Sequence, residues 1–406
     1  MNNKFPKLRF PGFNDSWKRY ALSEIGEYYS TSALSYADLS EDGMYKCVLY
    51  GDLFTKYNEQ LFDVKARTNV EATLTQKNDI LFPTSTTVND LSLIAPSCVS
   101  EDNIRAGGDM FGIRPHSEID GNFISYYINN HMPVKRSFAK KAQGLTIVHI
   151  HYDAIKNEKL YLPSYREQLQ ISEFLMSIDK LVALHQKKLQ EIELYKAGMI
   201  QKLFPKTGCT VPEIRFPKFT DDWKEYKLGD IYSERNEKGN DSLQFLTVSI
   251  HSGVSDKELD ADDLGKTVKR SEDKSTYKHV YEGDLVFNMM RAWQGAIGVA
   301  KSEGMISPAY ISAIPNDEVF PQFMDYTLRR KDVIEQINNL SYGVTDFRKR
   351  LYWNSFVKVK CMLPSKEEQE IIWGFLKQID DLIELYQKKI KVLKEYKKGL
   401  CQQMFI

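Results

Sequence analysis

The chain has no excess of charge, with 55 Lys+Arg against 55 Asp+Glu. It therefore lacks the global field of a protein that coats nucleic acid, and any polyanion contact has to come from local basic faces. Five cysteines (Cys47, Cys98, Cys209, Cys361 and Cys401) form no CxxC pair and have no histidine at metal-ligand spacing. This argues against a disulfide framework or zinc module and fits buried or idle thiols in a reducing, cytoplasmic setting. No stretch approaches about 18 uninterrupted apolar residues, and Met1-Asn2-Asn3-Lys4-Phe5-Pro6 contains no apolar signal core. Neither export nor a membrane span is expected. Catalytic signatures are missing too. No GxGxxG follows a strand and no GxxxxGK[ST] occurs, so neither a dinucleotide nor an ATP phosphate finds a cradle. There is no Pro-Pro dipeptide, hence no Asn/Asp-Pro-Pro-aromatic tetrapeptide of the amino-methyltransferase kind, and the seven histidines build no Ser/His/Asp or HExxH arrangement. Asp262-Asp263 and Asp317-Glu318 are pairs that could hold a metal, although solvated loop carboxylates are commoner. No autonomous active site, cofactor or metal is expected in this chain.

What is present is a repeat. Leu8-Arg9-Phe10-Pro11, followed by Trp17 and Leu22, returns as Ile214-Arg215-Phe216-Pro217, followed by Trp223 and Leu228. A longer echo carries Leu162-Pro163-Ser164 through Phe204 onto Leu363-Pro364-Ser365 through Phe405, including Ile178-Asp179, Lys196 and Gly198 as Ile379-Asp380, Lys397 and Gly399. Two copies of one unit predict two globular domains and a pseudo-twofold object, which suits a pseudo-twofold partner such as duplex DNA.

Within the longer echo, apolar residues recur in alternating four- and three-residue steps. The first copy reads Ile171, Leu175, Ile178, Val182, His185, Leu189, Ile192, Lys196, Met199, Leu203, and the second Ile372 through Met404 keeps the same register. This is a coiled-coil seam interrupted by one lysine per copy, which we read as snorkelling at the edge. Ser164 with Glu167, and Ser365 with Glu368, read as capping boxes. Helices of this length run roughly 60 Å, and the short linker from Lys206 to Val211 predicts that they pair antiparallel, with one globular unit at each end and Phe405-Ile406 finishing near Met1. Two amphipathic helices packed separately on their own domains are the alternative.

The fold class expected is α+β, with small twisted sheets in both domains and the two long helices between them. The boundaries are 1–161, a helix over 162–205, 206–362, and a helix over 363–406. Strands are predicted at Tyr45–Tyr50, Asp79–Phe82, Phe245–Ile250, Asp284–Met289 and Phe356–Leu363, and helices at Asn122–Asn130 and Pro321–Asn338. The frames match while their loops differ: Asn78-Asp79-Ile80-Leu81-Phe82 leads into Pro83-Thr84-Ser85-Thr86-Thr87, but Gly283-Asp284-Leu285-Val286-Phe287 leads into Arg291-Ala292-Trp293-Gln294-Gly295.

On these features the whole chain resembles the specificity (S) subunits of type I restriction–modification systems, the HsdS family. The resemblance rests on the two domains each followed by a helix opening with Leu-Pro-Ser, and on Arg291–Gly295 and Ser307-Pro308-Ala309-Tyr310, which are similar to one type of target-recognition domain. It implies a non-catalytic DNA-binding subunit that reads a bipartite, asymmetric sequence and docks two methyltransferase subunits. Those subunits bring S-adenosylmethionine for N6-adenine methylation, and restriction subunits bring ATP and Mg chemistry. A coiled-coil scaffold without DNA reading is the rival from another class.

Base-reading candidates are Arg291, Trp293 and Gln294, since Arg can take guanine and Gln adenine in bidentate fashion, and Thr84, Ser85, Thr86 and Thr87 in the corresponding loop. Against these stand a core role for Trp293, a carboxylate partner for Arg291, and an ordinary Ser/Thr turn. Lys135, Arg136, Lys140 and Lys141 near Gly144, and Arg348, Lys349 and Arg350 beside Phe347 and near Gly343, suit phosphate positioning, with a solvated charged face as the alternative.

Overall fold

The computed structural model describes residues 5–240, 242–251, 253–257, 276–343 and 348–406. The chain forms two compact units, one of Met1–Lys187 with Gln387–Ile406 and one of Lys188–Tyr386. Unit 1 holds a five-stranded sheet built from Gly26–Ser30 (β1), Gln60–Leu61 (β2), Ile80–Pro83 (β3), Ser97–Val99 (β5) and Met110–Pro115 (β6), ordered β1-β6-β3-β5-β2. Ser85–Thr86 (β4) pairs antiparallel with Val148–His149 (β7) in a separate ribbon. Unit 2 repeats the frame with Tyr232–Arg235 (β8), Leu285–Asn288 (β9), Ile297–Val299 (β10) and Tyr310–Pro315 (β11), ordered β8-β11-β9-β10. Helices Gly121–Asn130 (α1) and Met132–Ala139 (α2) follow the sheet of unit 1, and Pro321–Leu328 (α4) and Lys331–Leu340 (α5) that of unit 2.

Two long helices, Tyr165–Leu203 (α3) and Lys366–Met404 (α6), contribute to both units. In unit 1 the first half of α3 (Ile171, Leu175, Ile178) shares a core with the last turns of α6 (Leu400, Met404) and with Phe405. In unit 2 the last half of α3 (Ile192, Leu203) shares a core with the first turns of α6 (Ile372, Leu376, Ile379). The helices therefore run antiparallel, as the short linker predicted. Each fully buried seam residue contributes about 1.5–3 kcal/mol.

The seam lysines do not snorkel. Lys397 bonds Asp179 at 2.8 Å and Glu59 at 3.2 Å, with its ammonium 4.8 Å from the Tyr126 ring centroid, and the Tyr126 hydroxyl donates to the same Asp179. In unit 2 Lys196 pairs with Asp380, which also accepts the Tyr326 hydroxyl at 2.5 Å. Burial pulls the Lys397 pKa down, yet Glu59 and Asp179 hold it above its ordinary value. The recurrent Ile-Asp pair and the recurrent lysine, distant in each copy, are thus partners across the helix pair.

Neither capping box closes, because both carboxylates are engaged elsewhere. The Ser365 hydroxyl accepts from the Glu368 backbone N–H at 3.4 Å, but the Glu368 carboxylate is taken by Arg215 at 2.9 and 2.8 Å. Glu167 is taken by Arg9, both bonds at 2.7 Å. The Arg-Phe-Pro echo and the helix-start echo exist because they bind each other. Near the chain end, the Leu8 N–H donates to the Gln403 carbonyl at 2.9 Å, as Ile214 does to Lys202 at 2.9 Å. Met1, toward which the C-terminus was expected to return, lies outside the described residues.

Several predicted elements change. Residues 353–356 form a helical turn and only Lys360–Leu363 is a strand, because Phe356 turns inward to stack on Phe287 at 4.8 Å. The Phe245–Ile250 strand shortens to Val248–Ser249. The helix predicted over 321–338 breaks into α4 and α5 at Arg330, whose guanidinium donates to the Pro205 carbonyl at 2.8 Å and lies 5.1 Å from the Phe204 ring centroid.

Removing Lys397 leaves the buried Glu59 and the half-buried Asp179 without their cation. Lys397→Met is expected to lower stability by about 3–5 kcal/mol, and the double variant Lys397→Met/Asp179→Asn to recover a substantial part; urea unfolding monitored by circular dichroism measures both.

Candidate nucleic-acid interface

In both units an aspartate at the start of the central strand is fully buried and held by arginine. Asp79 accepts Arg114 Nε and Nη2 at 3.0 and 2.9 Å and the Tyr29 hydroxyl at 2.8 Å. Asp284 accepts Arg235 Nε and Nη2 at 2.6 and 3.0 Å. The arginine comes from β6 in one unit and from the edge strand β8 in the other, at the register position that Tyr29 occupies on β1. This anchor holds the start of β3 and β9, and the candidate loops follow the far ends of those strands.

In unit 1 the segment after β3 is not an open loop. The Thr84 N–H donates to the Asp109 carbonyl at 2.8 Å, Ser85 Oγ donates to Asp109 Oδ2 at 2.9 Å, and Ser85 and Thr86 are buried in the β4–β7 ribbon. Thr87 is exposed. Ser85, Thr86 and Thr87 line a cleft of about 1390 Å³, together with Lys135 from α2. The structure therefore brings one predicted reading segment and one predicted phosphate contact into the same cleft. Burial lowers the Lys135 pKa, with Glu59 opposing. Arg136, Lys140 and Lys141 sit apart, around a hollow of about 420 Å³ where Lys141 lies 3.6 Å from Glu158.

Lys394 and Lys398 of α6 also line the large cleft, and the sequence reading missed them because it followed only the seam. A signal was available: their counterparts in the first copy are Glu193 and Ala197, so the helix scaffold does not itself demand cations there. His131 lines the cleft as well, with its Nδ1 buried and unpartnered among the described residues and its ring stacked on Tyr127 at 5.4 Å.

In unit 2, β9 ends at Asn288, whose Oδ1 accepts the Met290 N–H at 3.0 Å, and one 3₁₀ turn over Ala292–Gln294 closes on Gly295 at φ 101°. A positive φ suits glycine, so the loop is set by backbone geometry. Arg291 and Gln294 are exposed, and no carboxylate forms an ion pair with Arg291 among the described residues. Trp293 is half-buried against the unit 2 core and donates its indole N–H to the Met290 carbonyl at 3.0 Å. Its polar handle is spent internally, which leaves Arg291 and Gln294 as the outward side chains. Lys349 donates to Asn338 Oδ1 at 3.1 Å and sits 5.9 Å from the Trp293 ring centroid. Arg348 and Arg350 are exposed. The Leu351 N–H bonds the Met289 carbonyl at 2.8 Å, so this basic run and the Arg291–Gln294 turn form one patch.

Phe347 and Asp262-Asp263 lie outside the described residues. Asp317 and Glu318 are exposed, and no metal-holding cluster occurs among the described residues. No described helix is long and apolar enough to cross a membrane.

A family model for the type I restriction modification DNA specificity domain matches residues 14–194 and 220–395, one match in each repeat. The chain belongs to this family. The MjaVIII type I restriction enzyme specificity subunit of Methanocaldococcus jannaschii is 26% identical over 295 residues, covering 68% of each chain. The putative MjaX specificity subunit of that organism is 24% identical over 344 residues, covering 79% of this chain and 76% of its own. Among solved structures, the type I S subunit from M. genitalium shares the fold with a TM-score of 0.62 at 15% identity, covering 99% of both chains. A chain from a type I R-M complex aligns with a TM-score of 0.52 at 14% identity, over 97% of this chain and 98% of its own. The unit 1 cleft and the unit 2 patch described above thus belong to a type I specificity subunit.

Burial lowers the His131 pKa from 6.5 to about 4. Between those values the unfolded chain binds a proton that the folded chain refuses, so stability present at neutral pH is lost as pH falls through 6.5 toward 4. Replacing the ring in His131→Phe is expected to flatten the stability profile of unit 1 across that window, measured by urea unfolding at stepped pH.

Proposed function

We propose that this subunit reads a bipartite, asymmetric DNA sequence, one half with each unit, and performs no chemistry itself. The observation that carries this reading is that both units hold the same aspartate-anchored strand but follow it with unlike surfaces. A buried Ser/Thr ribbon beside a lysine-lined cleft succeeds β3, and an exposed Arg291/Gln294 turn beside Arg348 and Arg350 succeeds β9. Unlike surfaces on one frame read unlike half-sites. Phosphate contacts from Lys135, Lys394 and Lys398, or from Arg348 and Arg350, position the duplex, and Arg291 and Gln294 specify bases.

The same reading gives the chain two methyltransferase partners, which bring S-adenosylmethionine, and restriction subunits, which bring ATP and Mg. Support comes from apolar side chains left exposed in matching positions: Leu181, Leu184 and Tyr396 in unit 1, and Leu382, Leu385 and Tyr195 in unit 2. Each set is the repeat of the other, so one kind of partner surface fits both. A patch of this kind marks a protein contact rather than a solvated helix.

Methylome sequencing of a host carrying the chain and its partner subunits tests the whole reading, which predicts methylated adenines in one split, asymmetric motif. Arg291→Ala should relax one position of one half at a cost of about 1–3 kcal/mol, while Arg348→Ala weakens all sequences alike and flattens the salt dependence. An unchanged motif with Arg291→Ala rejects that contact. Leu184→Glu is expected to reduce the complex from two methyltransferase subunits to one, and Leu184→Glu/Leu385→Glu to none, by native mass spectrometry.

A further inference from the structure

We propose that Leu145 is an apolar wedge that enters the duplex at the half-site of unit 1; this rests on the DNA reading above and assigns one residue a distinct physical task within it. Leu145 is 102% exposed, at the tip of a turn clamped by reciprocal backbone bonds between Gln143 and His149 at 2.8 and 2.7 Å. Gly144 holds φ at +119°, and a Cβ there would meet the Ile147 carbonyl oxygen at 2.0 Å. The turn is therefore a built feature, tight enough to push its next residue outward.

The surroundings identify the occupant. The turn leads into β7, which pairs with β4, so Leu145 projects from the ribbon that carries Ser85 and Thr86. Ile147, Thr87 and Val88 line the same cleft as Lys135, and Ile147 and Val88 are themselves exposed. Exposed Lys140 and Lys141 precede the turn. A bare leucine beside cations matches a target with anionic edges and an apolar interior, which describes stacked bases between phosphate backbones. Side chains of this class insert at base steps and partly unstack them. A leucine with two exposed aliphatic neighbours is too little for a stable lipid anchor.

The test uses the full chain assembled with its methyltransferase subunits and duplexes carrying the motif found by methylome sequencing. 2-Aminopurine replaces each adenine and pyrrolo-cytosine each cytosine of both halves in turn, so that every base pair is reported without a mismatch, except the methylated adenines. Wild type should raise emission several-fold at a step of one half-site. Leu145→Ser should abolish that rise and weaken binding about tenfold with an unchanged salt slope, because no phosphate contact is lost, and Leu145→Met should retain both. Specific binding with no emission rise in wild type, or with affinity and emission unaltered in Leu145→Ser, overturns the wedge and leaves the site reading standing. If wild type shows no preference for the motif over random duplex, the reading itself fails and the wedge with it.

Discussion

The structure depends on one repeated constraint, the pairing of a lysine near the end of each long helix with an aspartate in the first half of the other. Apolar seams alone tolerate sliding, since shifting two helices by a heptad buries a similar area. A half-buried ammonium tolerates no such shift, because out of register it would face apolar side chains and lose both its carboxylate and the tyrosine ring beside it. Lys397 with Asp179 and Tyr126, and Lys196 with Asp380 and Tyr326, each set the register in their own unit. Such polar positions in a seam trade stability for uniqueness of alignment.

The second repeated device ties the chain to these helices. Arg9 to Glu167 and Arg215 to Glu368 hold the start of each copy against the start of its helix. Gln168 and Gln369 add a further strap, each accepting a backbone N–H (Asp120 at 3.0 Å, Phe320 at 2.9 Å) and donating to the proline carbonyl before the helix at 3.0 Å. These bonds involve backbone or pairs of invariant type within the two copies, so they constrain the frame without constraining the loops. The Asp79 and Asp284 anchors show how loosely the frame can be met. One carboxylate is neutralised from an interior strand and the other from an edge strand, and the start of the anchored strand is held in both. Loops are then free to differ, which is what a recognition scaffold requires.

The legible parts were those with short-range or repeated signals. The helix seams, the antiparallel pairing, the α+β class and the family followed from periodicity, from the short linker and from two copies compared with each other. Less legible was what each polar repeat did. Lys196 and Lys397 read as edge residues because a seam pattern contains no partner, and Glu167 and Glu368 read as caps because local spacing cannot reveal an arginine 158 or 153 residues away. In the candidate interface, the Ser85–Thr87 segment looked like an open turn, since its partner strand lies past Gly144. The Lys135–Lys141 run looked continuous, since spacing does not tell which side of α2 each cation takes.

Residue order was enough to show that one unit occurs twice, that each copy ends in an amphipathic helix, and that the copies diverge after a common strand. These are properties of local pattern and self-comparison. Only the tertiary structure decided that Lys394 and Lys398 join Ser85 and Lys135 around one cleft, that Trp293 turns its indole inward while Arg291 faces out, and that Leu145 stands bare at a turn. Each of these depends on which residues distant in the chain meet, and burial, pairing and exposure have no value until they do.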